Sequence, residues 1–171
     1  QLVKLYRESY GLKCCSVISF NMESPRRGKE FVTRKITDYI GRFSNNMSSS
    51  CPFPKLKLGN LDSYRDWTHV SDSVVCHHLI LQQDKLEEYV VSTGNTHTIR
   101  EFCEAAFNVI GFDYKEFVEI DPQFYRPSEV DYLRGDSSKA RKDLGWEPKV
   151  SFTELVREMV EKDIERNQDA S

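Results

Sequence analysis

Cys14-Cys15-Ser16-Val17-Ile18-Ser19-Phe20 is a short apolar run bounded by turn-forming residues. Such a run suits a strand covered on both faces, as strands of parallel sheets are. Working outward, Gln1 to Gly11 carries Leu2, Leu5, Tyr6 and Tyr10 at helical spacing, with Gly11 as the stop. No N-cap residue precedes this helix, so the sequence is expected to begin inside an element. Glu88-Tyr89-Val90-Val91-Ser92-Thr93 is a second strand candidate, following a helix expected from about Ser71 to Gln83 and ending at Gly94. Two strands, each preceded by a helix, are a fragment of an α/β sheet and cannot form a stable sheet alone. The remainder of that sheet is expected outside this sequence.

Elsewhere the pattern is that of a smaller, mainly helical lobe. Thr98 and Glu101 form a capping box ahead of a stripe of Ile99, Phe102, Cys103, Ala106 and Ile110, which Gly111 ends. Ser151 and Glu154 repeat the device ahead of Phe152, Leu155, Val156, Met159 and Val160. Asp136 is placed to cap a short helix through Leu144, with Gly145 and Pro148 beyond its end. Asn45 to Pro54, rich in Ser, Asn and Pro, reads as a loop.

The chain has 171 residues, 39% hydrophobic and 30% charged, enough for a packed core. Its longest uncharged apolar run, Cys14 to Phe20, falls far short of the ~20 residues a membrane helix needs, so no membrane association is expected. A net charge of −3 gives no general attraction for nucleic acid. Five cysteines with no Cys-x-x-Cys pair argue for free thiols in a reducing compartment, hence a cytoplasmic protein. His69, His77, His78 and His97 share no zinc-ligand spacing with the cysteines and have no recognisable triad partners.

Three clusters carry candidate chemistry. Asn21-Met22-Glu23-Ser24-Pro25-Arg26-Arg27-Gly28, running on to Glu30 and Lys35, directly follows the carboxyl end of the first strand, where open α/β sheets place ligands. Its Arg and Lys side chains suit a phosphate or diphosphate, though a solvated basic loop has the same composition. In Leu58 to Val70, Arg65 can reach a phosphate while Asp66 orients nearby donors; a structural Arg65–Asp66 pair reads identically. In Phe124 to Val130, Arg126 and Glu129 flank Pro127 and can hold a phosphate and a ribose hydroxyl, or Glu129 can simply open a helix. An RNA-binding strip at Ser24 to Lys35 is disfavoured, since Phe31 is its only aromatic.

Taken together, the clusters resemble the GDP-mannose 4,6-dehydratases, a family of extended short-chain dehydrogenase/reductases. The resemblance rests on YRESYGL (Tyr6 to Leu12), FNMESPRRGKEFVTRKI (Phe20 to Ile36), LGNLDSYRDWTHVSD (Leu58 to Asp72), STGNTHTIREF (Ser92 to Phe102), YRPSEVDYLRGDSSKA (Tyr125 to Ala140) and LGWEPKVSFTELVREMV (Leu144 to Val160), in family order. It implies an α/β fold: the C-terminal remnant of a Rossmann-type parallel sheet at 1–20 and about 71–94, interleaved with a substrate-binding lobe at 21–70 and 95–171. It implies GDP-mannose as substrate, with NADP oxidising the sugar at C4, water lost across C5 and C6, and the hydride returned to C6. By resemblance, Asn21, Glu30, Val32, Lys35, Arg65, Arg126 and Glu129 hold the GDP-sugar, and Arg27 and position 22 contact the cofactor.

Three departures qualify the resemblance. Met22 stands where the family has a His, replacing a polar contact to NADP by a thioether that donates nothing. Asn45 to Pro54 lengthens a loop. The dinucleotide fingerprint needs closely spaced glycines, whereas no two here are closer than ten residues (Gly135, Gly145), and no Tyr has Lys four places on. The catalytic Thr and Glu of the family also belong upstream of Gln1. The sequence therefore reads as the C-terminal half of such an enzyme, binding GDP-mannose but inactive alone, with the missing half or a full-length subunit as partner. A non-catalytic GDP-sugar-binding or assembly module is the alternative. Val17, Ile18 and Phe20, beside an unpaired strand edge, are expected to favour self-association.

Overall fold

Val17–Ser19 lies parallel to Tyr89–Val91, in the register Val17 to Tyr89, Ile18 to Val90 and Ser19 to Val91. This pairing, in a computed structural model that describes residues 1–47, 52–125 and 128–169, confirms the α/β expectation. In chain order the elements are α1 (Leu2–Tyr10), β1 (Val17–Ser19), β2 (Asn21–Glu23), α2 (Val32–Asn46), β3 (Leu56–Leu58), β4 (Tyr64–Arg65), β5 (Trp67–His69), α3 (Val70–Leu81), β6 (Tyr89–Val91), β7 (His97–Thr98), α4 (Ile99–Asn108), β8 (Val118–Ile120), α5 (Ser138–Leu144) and α6 (Phe152–Asp169). Short 3-10 turns cover Tyr114–Glu116 and Pro122–Phe124. No described helix is long and apolar enough to cross a membrane.

The chain divides into two units. The first comprises Gln1–Met22, Asp66–Thr96 and Arg134–Val150, the second Glu23–Arg65, His97–Leu133 and Ser151–Ser171. In the first, Cys76 and Ile80 of α3, Tyr89 and Val91 of β6, Ala140 of α5 and Trp146 form the core, with Cys15, Val17, Leu79 and Leu144 packed against it. The side chain of Asp72 accepts the backbone N–H groups of Lys149 and Val150 at 2.9 and 3.0 Å, and its carbonyl accepts the Trp146 indole N–H at 2.9 Å. Gly11 ends α1 at φ 62°, the left-handed conformation that costs glycine least. An ion pair from Arg7 to Glu88 at 2.8 Å ties α1 to the approach to β6.

In the second unit, α2, α4 and α6 bury Ile36, Tyr39 and Ile40, then Phe102, Ala106 and Phe107, then Leu155, Val156, Met159 and Val160. β3 pairs in parallel with β8, and β4 pairs antiparallel with β7. Both expected capping boxes form. Glu101 N–H donates to Thr98 Oγ1 at 3.0 Å while the Glu101 carboxylate accepts Thr98 N–H at 2.6 Å, and Ser151 and Glu154 repeat the exchange.

One element is unannounced in the sequence and two expectations are corrected. The helix α2 is not marked in the sequence, because its N-cap position is Phe31, with no side-chain cap, and its first turn has no acid. Asn45 and Asn46 belong to α2 rather than to the expected loop, of which residues 48–51 lie outside the described residues. Asp136 precedes the N-cap position, which Ser137 takes, although the Asp136 carboxylate accepts Ser138 N–H at 2.9 Å.

Candidate functional site

The Ser24–Arg27 segment closes a turn in which Arg27 N–H donates to the Ser24 carbonyl at 2.9 Å and Arg26 N–H to Ser24 Oγ at 3.2 Å. Arg27 lays its guanidinium 3.5 Å over the Phe31 ring, with Nε 3.4 Å from the Glu23 carboxylate. Glu23 is 2% exposed and accepts the Thr33 hydroxyl at 2.7 Å. Burial pushes its carboxyl above the ordinary 4.5, against the lowering effects of Thr33 and Arg27. Arg34, seven residues on, turns inward: Nε and Nη2 donate to Asp163 at 2.7 Å each, and Nη1 donates to the Arg27 carbonyl at 2.6 Å. Only part of the basic cluster is therefore solvent-facing.

The candidate residues of the second unit distribute as follows. Val32 and Lys35 lie on the first turn of α2, with Lys35 Nζ 5.6 Å from the Phe124 ring. Glu30 is exposed, and its carboxylate covers Gly28, where any Cβ would collide with it. Arg65 of β4 pairs with Glu129 at 3.0 Å and also donates to the carbonyls of Tyr64 and Val130 at 2.7 and 2.6 Å. No helix begins at Glu129 among the described residues. Arg126 lies outside them. Asn21 and Met22 are half-buried on β2, within which the boundary between the units falls.

The structural Arg65–Asp66 pair is not formed. Asp66, fully buried in the first unit, accepts Thr93 N–H at 2.9 Å, the Thr93 hydroxyl at 2.6 Å, Gly94 N–H at 2.9 Å and Gly135 N–H at 3.2 Å. It thus orients backbone donors, as the sequence suggests it can. A cleft of about 640 Å³ opens beside these segments, and its two arginines are turned onto backbone carbonyls: Arg134 onto Gly94 and Arg141 onto Thr93. Neither the cleft nor the Arg34–Asp163 pair is singled out by sequence, because both depend on partners tens of residues away.

Two of the four histidines have structural surroundings. His69 caps α3, accepting Ser71 N–H at 3.2 Å, and His97 stacks on Phe152 at 3.8 Å. Cys14, Cys15, Cys76 and Cys103 are free thiols, and burial pushes Cys76 up to about 11 and Cys103 up to about 12. Met22 donates no hydrogen bond, Arg27 is held between Phe31 and Glu23, and the sequence has no closely spaced glycines to cradle a pyrophosphate, so these residues do not by themselves make a dinucleotide site.

Comparison with known proteins adds a family. Residues 1–159 match the family model described as GDP-mannose 4,6 dehydratase. GDP-mannose 4,6 dehydratase 1 of Arabidopsis thaliana is 49% identical over 160 residues, covering 94% of this chain and 43% of its own length. The Homo sapiens GDP-mannose 4,6 dehydratase is 41% identical over 181 residues, covering 96% and 47%. The chain thus spans about half the length of these relatives. Among solved structures, RMD from Pseudomonas aeruginosa complexed with NADPH superposes with a TM-score of 0.83 at 20% identity, covering 96% of this chain and 52% of that one. UDP-glucose 4-epimerase from Thermotoga maritima with UDP-glucose gives 0.81 at 24% identity, covering 98% and 50%. At such identities these likenesses establish the fold, that of Rossmann-type enzymes.

Proposed function

The chain belongs to the GDP-mannose 4,6-dehydratase family, and we propose that it supplies the half of such an enzyme that holds the GDP-sugar. The observation that carries this reading is the Arg65–Glu129 pair at 3.0 Å, which joins two candidate segments 64 residues apart and anchors them to the carbonyls of Tyr64 and Val130. Pre-set in this way, the guanidinium faces a diphosphate without first being ordered by it, and the carboxylate accepts a ribose hydroxyl. Arg126 adds a second cation for the phosphates. Lys35, Glu30 and Val32 complete the contacts that the second unit makes with the nucleotide sugar.

NADP is the cofactor of the complete enzyme and would supply its hydride chemistry when bound; Arg27 and Met22 are the residues of this chain that would contact it. The acid/base pair and the hydride acceptor must come from the other half or from a full-length subunit. The free thiols among the described residues suit a cytoplasmic location.

Calorimetric titration of the chain with GDP-mannose tests the reading. Binding is expected with or without NADP, and Arg126→Ala weakens it roughly tenfold or more, the worth of a charge-assisted hydrogen bond. Absence of heat at millimolar GDP-mannose overturns the assignment. With NADP added, no 4-keto product is expected from this chain alone; clear turnover would show that it carries its own catalytic groups.

A further inference from the structure

We propose that the last turns of α6 clamp the basic loop: Asp163, Arg166 and Arg34 are positioning residues that set the affinity of the Ser24–Gly28 segment for a nucleoside diphosphate. This rests on the reading of the basic cluster from Asn21 to Lys35, which contains that loop, as a diphosphate-holding part of the site.

Asp163 is fully buried and accepts four donors: Arg34 Nε and Nη2 and Thr37 Oγ1, all at 2.7 Å, and Arg166 Nη1 at 3.1 Å. One carboxylate thereby fixes two guanidinium groups, and each reaches past it to a loop carbonyl. Arg34 Nη1 donates to the Arg27 carbonyl at 2.6 Å, and Arg166 Nη1 to the Pro25 carbonyl at 2.5 Å. The loop's own hydrogen bonds are few and local, running from Arg26 and Arg27 back to Ser24 and from Phe31 to Gly28.

Packing of α2 on α6 does not require these charges. The two helices already pack on each other through faces that bury apolar side chains, and a buried ion pair contributes little net stability compared with apolar side chains of similar volume. What the network adds is geometry. It holds the Pro25 and Arg27 carbonyls inward, on either side of Arg26, so that the exposed Arg26 side chain leaves the loop from a defined position. Preorganised cations bind an anion more tightly because less conformational freedom is lost on binding.

Arg166→Gln tests the clamp, because the Arg166 side chain is 43% exposed and its loss leaves the Arg34–Asp163 pair in place. Three quantities are compared in the ligand-free and GDP-titrated chain: amide exchange across residues 24–28, thermal midpoint and Kd for GDP. Faster loop exchange, a nearly unchanged midpoint and a Kd about tenfold higher, equivalent to about 1.4 kcal/mol, are expected, with Arg166→Lys recovering most of the affinity. A lowered midpoint with unchanged Kd marks a merely structural pair and overturns the clamp alone. If the unaltered chain binds no GDP, the reading of the site falls and this inference with it.

Discussion

Asp66 shows how much one buried carboxylate can organise. Its four donors come from Thr93, Gly94 and Gly135, residues 27 to 69 positions away. Asp66→Ala leaves those N–H groups buried without an acceptor and should cost about 3 kcal/mol, read as a lower urea midpoint. Glu23 gives a prediction of pH dependence. Its folded carboxyl titrates above the ordinary 4.5, so between the unfolded and folded values the folded state retains a proton that the unfolded state has lost. Stability from this group is therefore greatest at low pH and falls as pH rises through that window. Glu23→Gln keeps an acceptor for Thr33 and cannot ionise, so the urea midpoint of the variant relative to wild type should rise between pH 4 and pH 7. A flat difference would show that Arg27 fully compensates the buried charge. Arg65 and Asp66 were legible as candidates because charged residues beside Tyr64 and Trp67 stand out. Their partners were not, because each partner is brought in by the chain's later course.

At the scale of elements, α4 and α6 were readable from Thr98/Glu101 and Ser151/Glu154, where the cap is a local bond between residues three apart. The helix α2 was not, since Phe31 caps nothing and its stability comes from packing. Gly41 records that packing: a Cβ there would collide with the Asp163 carbonyl of α6. In an exposed helix Gly→Ala gains about 1 kcal/mol; Gly41→Ala should instead destabilise by about 1–3 kcal/mol, as overpacking against backbone does. Thermal denaturation decides between the two signs.

Across the molecule, the first unit carries apolar side chains on its surface. No residue of α1 is buried: Leu2 is 71% exposed and Leu5 54%, while Ile18 of β1 and Val74, Val75 and Leu81 of α3 are also exposed. Surfaces of this kind drive association in water. The chain should scatter light increasingly with concentration, and Leu5→Glu combined with Leu81→Glu should raise the concentration reached before precipitation. Monodisperse behaviour of the unaltered chain at high concentration would contradict this.

The local order of apolar residues, caps and terminating glycines was enough to place α1, α3, α4 and α6, the β1 and β6 strands and the basic cluster, because those signals act over three or four residues. Tertiary structure alone decided that Arg34 turns inward to Asp163 while Arg65 joins Glu129, and that Asp66 gathers amides from two distant segments. Burial makes an unpaired charge costly, so each of these groups takes its partner from wherever the folded chain brings one within reach.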